Sequence, residues 1–212
     1  MAAFPIAVLV SGAGTNLQAI LDQVHGRDGV EVDVVVSNRA DAGGLERAQA
    51  AGVETAVFEA SAYADRAQRD RAMAAYLKER GIRLVVLAGY MQLLDRSFLE
   101  EFPQAVINVH PALLPAFPGP HPIEDQIAYG VQVSGVTVHF VDDGVDTGPI
   151  ILQEAVRLPY TRDDKEILGL LHRTEHRLLP QAIRLIAQGA VSVDEQNPRL
   201  VRVEEGSQSD DG

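Results

Sequence analysis

Short β-branched runs at 6–10, 32–36, 54–58 and 84–88 alternate with stretches at 17–24, 45–51 and 64–80 whose apolar residues recur at helical spacing. That alternation predicts βαβ units and a parallel sheet. Crossovers of this kind are right-handed, and ligands gather beyond the carboxyl ends of the strands. After residue 104 the pattern changes. A strand at 105–109 runs into a stretch, 111–122, holding five of the chain's 11 prolines, Pro111, Pro115, Pro118, Pro120 and Pro122, which predicts an ordered but irregular loop. Residues 135–141 alternate, with Val136, Val138 and Phe140 on one face and Thr137, His139 and Val141 on the other, as in a half-buried strand. A returning strand follows at 150–156. Residues 163–188 predict a long helix, opened by acidic residues and stopped by Gly189, with Pro180 expected to kink it. The fold class expected is α/β: a Rossmann-like open twisted sheet, parallel in its N-terminal half, with an antiparallel strand in the C-terminal half and helices on both faces. One domain over 1–200 is expected, its phosphate-binding half at about 1–100 and its catalytic half at about 101–200. Residues 201–212 read as an acidic, disordered tail.

Composition narrows the function classes. Hydrophobic residues at 46% against 23% charged give enough apolar surface for a packed core. The net charge of -12, from 18 basic and 30 acidic residues, argues against nucleic acid or an anionic membrane surface as partner, because a polyanion needs a field of the opposite sign. No cysteine is present, so disulfides, thiolate metal sites and a cysteine nucleophile are excluded together. No apolar run reaches the roughly 18 residues of a membrane span, and the start lacks a basic n-region. A cytoplasmic protein is expected, as monomer or homodimer.

Four segments carry candidate chemistry. Ser11-Gly-Ala-Gly-Thr-Asn-Leu-Gln follows the first strand and opens the first helix. Glycines let a backbone approach a ligand, and the free amides at a helix start attract an anion, so a phosphate is the natural occupant. A dinucleotide fingerprint fits less well, since residue 17 is Leu and no acid ends the second strand; a Walker loop lacks its Gly-Lys. Asn108-Val-His110-Pro111 ends a strand, and a period of two puts the Asn amide and the imidazole on one side, able to hold an oxyanion and move a proton. The acids Asp142, Asp143 and Asp146 with Gly144 and Val145 could form a solvated turn, bind a cation or partner a histidine, although the spacing is not that of an EF-hand. His172-Arg173-Thr174-Glu175-His176 matches a zinc-peptidase pattern, but a third ligand is wanting, and Glu175 could equally grip a sugar hydroxyl.

Taken together, 11–20, Ser37-Asn-Arg-Ala-Asp-Ala42, Leu87-Ala-Gly-Tyr-Met91, Asn108-Val-His-Pro-Ala-Leu-Leu-Pro115, 135–141 and Asp146-Thr-Gly-Pro-Ile-Ile151 resemble the phosphoribosylglycinamide formyltransferases, folate-dependent formyltransferases of purine biosynthesis. The resemblance runs in order from about residue 7 to 180. It implies formyl transfer from 10-formyltetrahydrofolate, a co-substrate, to the amine of glycinamide ribonucleotide, with no metal. It implies a ribonucleotide group of Gly14, Thr15, Asn16, His172, Arg173, Thr174 and Glu175. It implies a folate group of Arg66, Met91, Gln92, Leu93, Leu94, Asn108 and 142–146. Asn108, His110 and Asp146 fall on the catalytic set, with Asp146 keeping the imidazole charged, and a cis bond is implied before Pro115. Ala112, where the family usually has Ser, and Glu124, where a basic or neutral residue is usual, depart from the pattern. A formyltetrahydrofolate hydrolase and a non-catalytic nucleotide-binding module are the alternatives. A tRNA formyltransferase would need a basic C-terminal domain for which the chain leaves no room.

Overall fold

The computed structural model describes residues 3–161 and 163–204. Five strands, β1 (Phe4–Val10), β2 (Val30–Ser37), β3 (Glu54–Val57), β4 (Leu84–Leu87) and β5 (Val106–His110), pair in parallel. Two more, β6 (Val133–Phe140) and β7 (Ile150–Arg157), continue the sheet antiparallel, in the order β3-β2-β1-β4-β5-β6-β7. The α/β class, the parallel half and the antiparallel continuation are those expected: β6 runs against β1–β5, and β7, antiparallel to β6, returns to their direction.

Helices cover both faces. Against one face lie α1 (Thr15–Gln23), α2 (Gly43–Ala50), α5 (Pro122–Tyr129) and α6 (Asp164–Ala187), burying Leu17, Leu45, Ile123 and Leu171 with Val8 and Ile107. Against the other lie α3 (Arg66–Glu79) and α4 (Arg96–Glu101), burying Met73, Leu77 and Phe98 with Leu9 and Val85. Every residue of β4 is buried, which is why the strand reads as a continuous apolar run and not as an alternation.

From β1 the chain builds β2 and β3 on one side and returns to add β4 on the other. The loops after β1 and β4 therefore diverge and leave a crevice at the carboxyl edge, the switch point where open α/β sheets bind ligands. Ser11 spans that gap. Its N–H donates to Gly89 O at 3.1 Å, its hydroxyl donates to Asn38 Oδ1 at 2.6 Å, and it accepts from Met91 N at 2.9 Å.

Three features differ from the sequence reading. The proline-rich segment ends in α5, with Pro122 in its first turn, Glu124 and Asp125 at the positive end and Gly130 at φ 82 closing it; proline there forfeits no hydrogen bond. α4 is a short helix capped by Asp95, which accepts from Ser97 N at 3.0 Å. Two three-residue strands, β8 (Val191–Val193) and β9 (Val201–Val203), pair antiparallel, so the stretch from 201 begins as a strand and not as a tail; residues 205–212 lie outside the described residues. α6 is the long helix expected and runs through Pro180 as one element. Proline lacks the N–H that would bond the carbonyl four residues back, and that carbonyl, of His176, instead accepts from Gln23 Nε2 at 2.8 Å. The Leu114–Pro115 bond is cis, as implied.

Candidate active site

Strand β5 delivers Asn108 and His110, and the loop after β6 delivers Asp146. Asp146 adopts φ 53, a left-handed conformation that Asp tolerates better than most residues, and its carboxylate reaches back over the strand end. Its Oδ2 lies 3.4 Å from His110 Nδ1 and accepts from Gly119 N at 2.8 Å. Its Oδ1 accepts from Asn108 Nδ2 at 3.5 Å and lies 3.7 Å from His139 Nε2. The loop is braced from within: Asp142 Oδ1 accepts from Gly144 N at 3.1 Å and from Thr147 Oγ1 at 2.6 Å.

His139, read from the sequence only as a strand residue, belongs to this cluster. Burial pushes its imidazole below the usual histidine range, partly offset by Phe140 and Asp146. Nδ1 lies 2.8 Å from Phe140 O, which makes it the protonated nitrogen. Nε2 then offers a lone pair to Asn108 Nδ2 at 3.3 Å. Both hydrogens of the Asn108 amide are thus held in long bonds, easily exchanged for a better acceptor. The two-residue alternation of β6 placed His139 beside Thr137, but no single-sequence signal marks it as facing Asn108. His110 differs from the simple expectation of a free donor. Its Nε2 donates to Phe117 O at 2.8 Å, and Phe117 itself sits at φ 53.

Two clefts meet here. A narrow one of about 150 Å³ is lined by Arg66, Gln92, Leu94, His139 and the 142–146 loop, among others. A wider one of about 530 Å³ includes Met91, His110, Pro111, Glu124 and Asp164. Asn108, Asp146, Tyr90, Gln92, Leu93 and Val145 line both, so the Asn108–Asp146 pair stands at their junction. The folate group implied by the resemblance therefore gathers in one place. The narrow cleft, apolar at Leu87, Leu94 and Val141 and polar along 142–146, suits a flat heteroaromatic ring with edge donors and acceptors. Tyr90 is buried with no partner for its hydroxyl among the described residues, and burial pushes that phenol up to about 12.

The ribonucleotide group assembles where α1 meets α6. Asn16 Nδ2 donates to Glu175 Oε2 at 2.9 Å, His172 Nε2 lies 3.9 Å from that oxygen, and Thr174 is buried beside them. Arg173 is exposed and, among the described residues, makes no hydrogen bond or ion pair to this group. The amides at the start of α1 carry no side-chain cap and remain available to an anion. The two glycines differ in role. Around Gly12 there is open space, whereas a Cβ on Gly14, at φ 72, would stand 2.6 Å from Gly44 Cα. Gly14 thus answers to packing on α2 and Gly12 to approach from outside. Arg47, overlooked in the sequence, sets a cation against this loop, donating to Ala13 O at 2.8 Å and Gln18 Oε1 at 3.0 Å. Asn16 of the N-terminal half donates to Glu175 of the other, and Arg66 lines the narrow cleft together with the 142–146 loop. His172 and His176 stack with centroids 5.8 Å apart, and no group of three metal-ligating side chains occurs among the described residues.

Burial pushes the Glu175 carboxyl above its ordinary value of 4.5, against the opposing pull of Asn16 and His172. The folded chain keeps a proton there at pH values where the unfolded chain has released it, so stability falls as pH rises from about 4.5 through the raised value. Glu175→Gln, which keeps an acceptor for Asn16, is expected to raise the urea midpoint at pH 7 and to lose that advantage below pH 4.5. Equal midpoints at both pH values would contradict it.

An open α/β sheet with a polar cluster at its switch point defines the class: an enzyme that works on small molecules held at the carboxyl edge of its strands. The formyl transferase family matches residues 5–183, and the chain belongs to that family. It is 38% identical over 185 residues to the phosphoribosylglycinamide formyltransferase of Haemophilus influenzae, covering 87% of each chain. It is 40% identical over 204 residues to the human trifunctional purine biosynthetic protein adenosine-3, covering 94% of this chain and 20% of that one, so it spans about a fifth of that relative's length. The crystal structure of glycinamide ribonucleotide transformylase 1 from Symbiobacterium toebii superposes with a TM-score of 0.91 at 46% identity, covering 96% of this chain and 95% of that one. The resemblance read from the motifs is borne out. No helix among the described residues is long and apolar enough to cross a membrane.

Proposed function

We propose that the chain transfers a formyl group from 10-formyltetrahydrofolate to the amine of glycinamide ribonucleotide in purine biosynthesis. The observation that carries this reading is the convergence of Asn108, His110 and Asp146 on the junction of two clefts in a chain of the formyl transferase family. The narrow cleft takes the folate ring and the wider one admits the amine. The phosphate rests on the α1 start, and Glu175 with Asn16 and His172 meets the ribose side.

The neutral amine attacks the formyl carbon directly, forming a C–N bond and leaving charge on the formyl oxygen. Asn108 Nδ2–H turns from His139 and Asp146 to that oxygen. His110, facing Asp146 through Nδ1, offers Nε2–H once Phe117 O lets go. Collapse breaks the bond to the folate nitrogen, which takes the proton given up by the amine. No residue is acylated: the chain lacks cysteine, and direct transfer needs only oriented substrates and a stabilised oxyanion.

The test mixes protein, 10-formyltetrahydrofolate and glycinamide ribonucleotide and follows folate absorbance and the amine product. Formylated ribonucleotide formed one-for-one with tetrahydrofolate is expected. Free formate in place of a formylated amine would make the protein a hydrolase.

A further inference from the structure

Helix α3 carries a buried ion pair that the proposed chemistry does not use. Arg69 is 1% exposed and Asp70 0%. Arg69 Nε donates to Asp70 Oδ1 at 2.8 Å. Its Nη2 lies 2.7 Å from the same oxygen without an aligned bond. Burying two charges costs several kcal/mol per ion, and apolar residues of similar volume often pack as well or better. Packing alone therefore does not account for the pair.

Its outward contacts do. Asp70 Oδ2 accepts from the backbone N–H of Asp95 at 2.7 Å, and Arg69 Nη1 donates to Gln92 Oε1 at 3.5 Å. One turn of α3 thus ties down both ends of segment 92–95, whose Gln92, Leu93 and Leu94 line the narrow cleft. With its oxygen turned to Arg69 and Nε2 donating one hydrogen to Met91 O at 3.4 Å, Gln92 has one amide N–H left to offer. Asp95, its own backbone held, brings its carboxylate 3.9 Å from Arg66 Nη2, a second group on the cleft.

We infer that Arg69 and Asp70 are positioning residues for the formyl donor, fixing segment 92–95 so that Gln92 presents its remaining N–H, and Arg66 its guanidinium, to a ring acceptor and a carboxylate of the bound folate. This rests on the assignment of the narrow cleft to the donor. Neither residue lines the cleft, so their effect passes through Gln92 and Asp95.

The double change Arg69→Met with Asp70→Asn removes both charges while stranding neither, and the new amide oxygen still accepts from Asp95. Expected is a KM for 10-formyltetrahydrofolate raised about tenfold, the scale of one lost charged hydrogen bond, with the ribonucleotide KM and kcat within about twofold of the parent. Gln92→Ala is expected to raise the donor KM similarly, and the triple variant to add little, since coupled sites are non-additive. A folded double variant with an unchanged donor KM overturns the inference when Gln92→Ala raises it. When Gln92→Ala also leaves it unchanged, the assignment of the cleft fails instead. Should the double variant not fold, Arg69→Lys, which keeps the buried charge but not the reach to Gln92, decides: a parent-like donor KM overturns the inference, and a raised one with normal melting supports it.

Discussion

Replacing Asn108 with Ala is expected to lower kcat by about 10²- to 10³-fold, the usual loss when one preorganised oxyanion donor is removed, with the ribonucleotide KM changed far less. The reasoning is geometric. Asn108 is the side chain held between His139 Nε2 and Asp146 Oδ1, at 3.3 and 3.5 Å, on the wall shared by both clefts. Those bonds are long enough to be given up and short enough to aim the amide. Steady-state kinetics with each substrate varied separates the two parameters. A fall confined to KM would make Asn108 a binding residue and remove it from the oxyanion.

Asn108→Asp sharpens the test, because the shape is kept and the donor becomes an acceptor facing Asp146. Turnover should fall at least as far as in the Ala variant, since a second carboxylate repels the developing negative charge that the amide attracts. A binding role alone would let the isosteric change do less harm than truncation.

Much of this architecture is legible in the sequence, and the reason differs by element. β1 and β4 stand out because strands buried on both faces must be continuously apolar, and the α1 start because few residue types allow a turn so close to another backbone. Asn108 and His110 were recognisable as a pair from the strand period alone. Asp146 was not: 36 residues, a proline-rich loop, helix α5 and strand β6 separate it from His110, and its carboxylate arrives only through a positive φ. Only the family resemblance linked them beforehand. α5 was hidden because proline was read as a helix breaker when it stood at a helix start. β8 and β9 were hidden because three residues of alternation in a polar stretch carry little signal. Arg69 and Asp70 look like any charged pair on a solvated helix, since burial of a charge is a tertiary fact. His139 shares that difficulty, being a strand residue whose importance lies in the lone pair it offers a neighbour.

Asp146→Asn should produce the other large loss, about 10²-fold or more in kcat, with little change in melting. Asn accepts a left-handed φ as readily as Asp, so the backbone has no new strain to relieve. What changes is the pattern of donors. The carboxylate now accepts from Gly119 N and Asn108 Nδ2 and faces His110 Nδ1, three donors for a group that only accepts. An amide has one oxygen for these partners. If that oxygen stays with Gly119, its NH2 is turned on the Asn108 amide, donor against donor; if it serves Asn108, Gly119 is left unbonded. Either way Asn108 or the 117–119 segment moves, and His110 loses the negative charge that strengthens its Nε2–H as a donor to the oxyanion. Asp146→Glu isolates geometry from charge: it keeps the anion but displaces it by one methylene, and should recover part of the loss if charge dominates and none if placement does. An Asp146→Asn protein with parental turnover would remove Asp146 from the proposed oxyanion site.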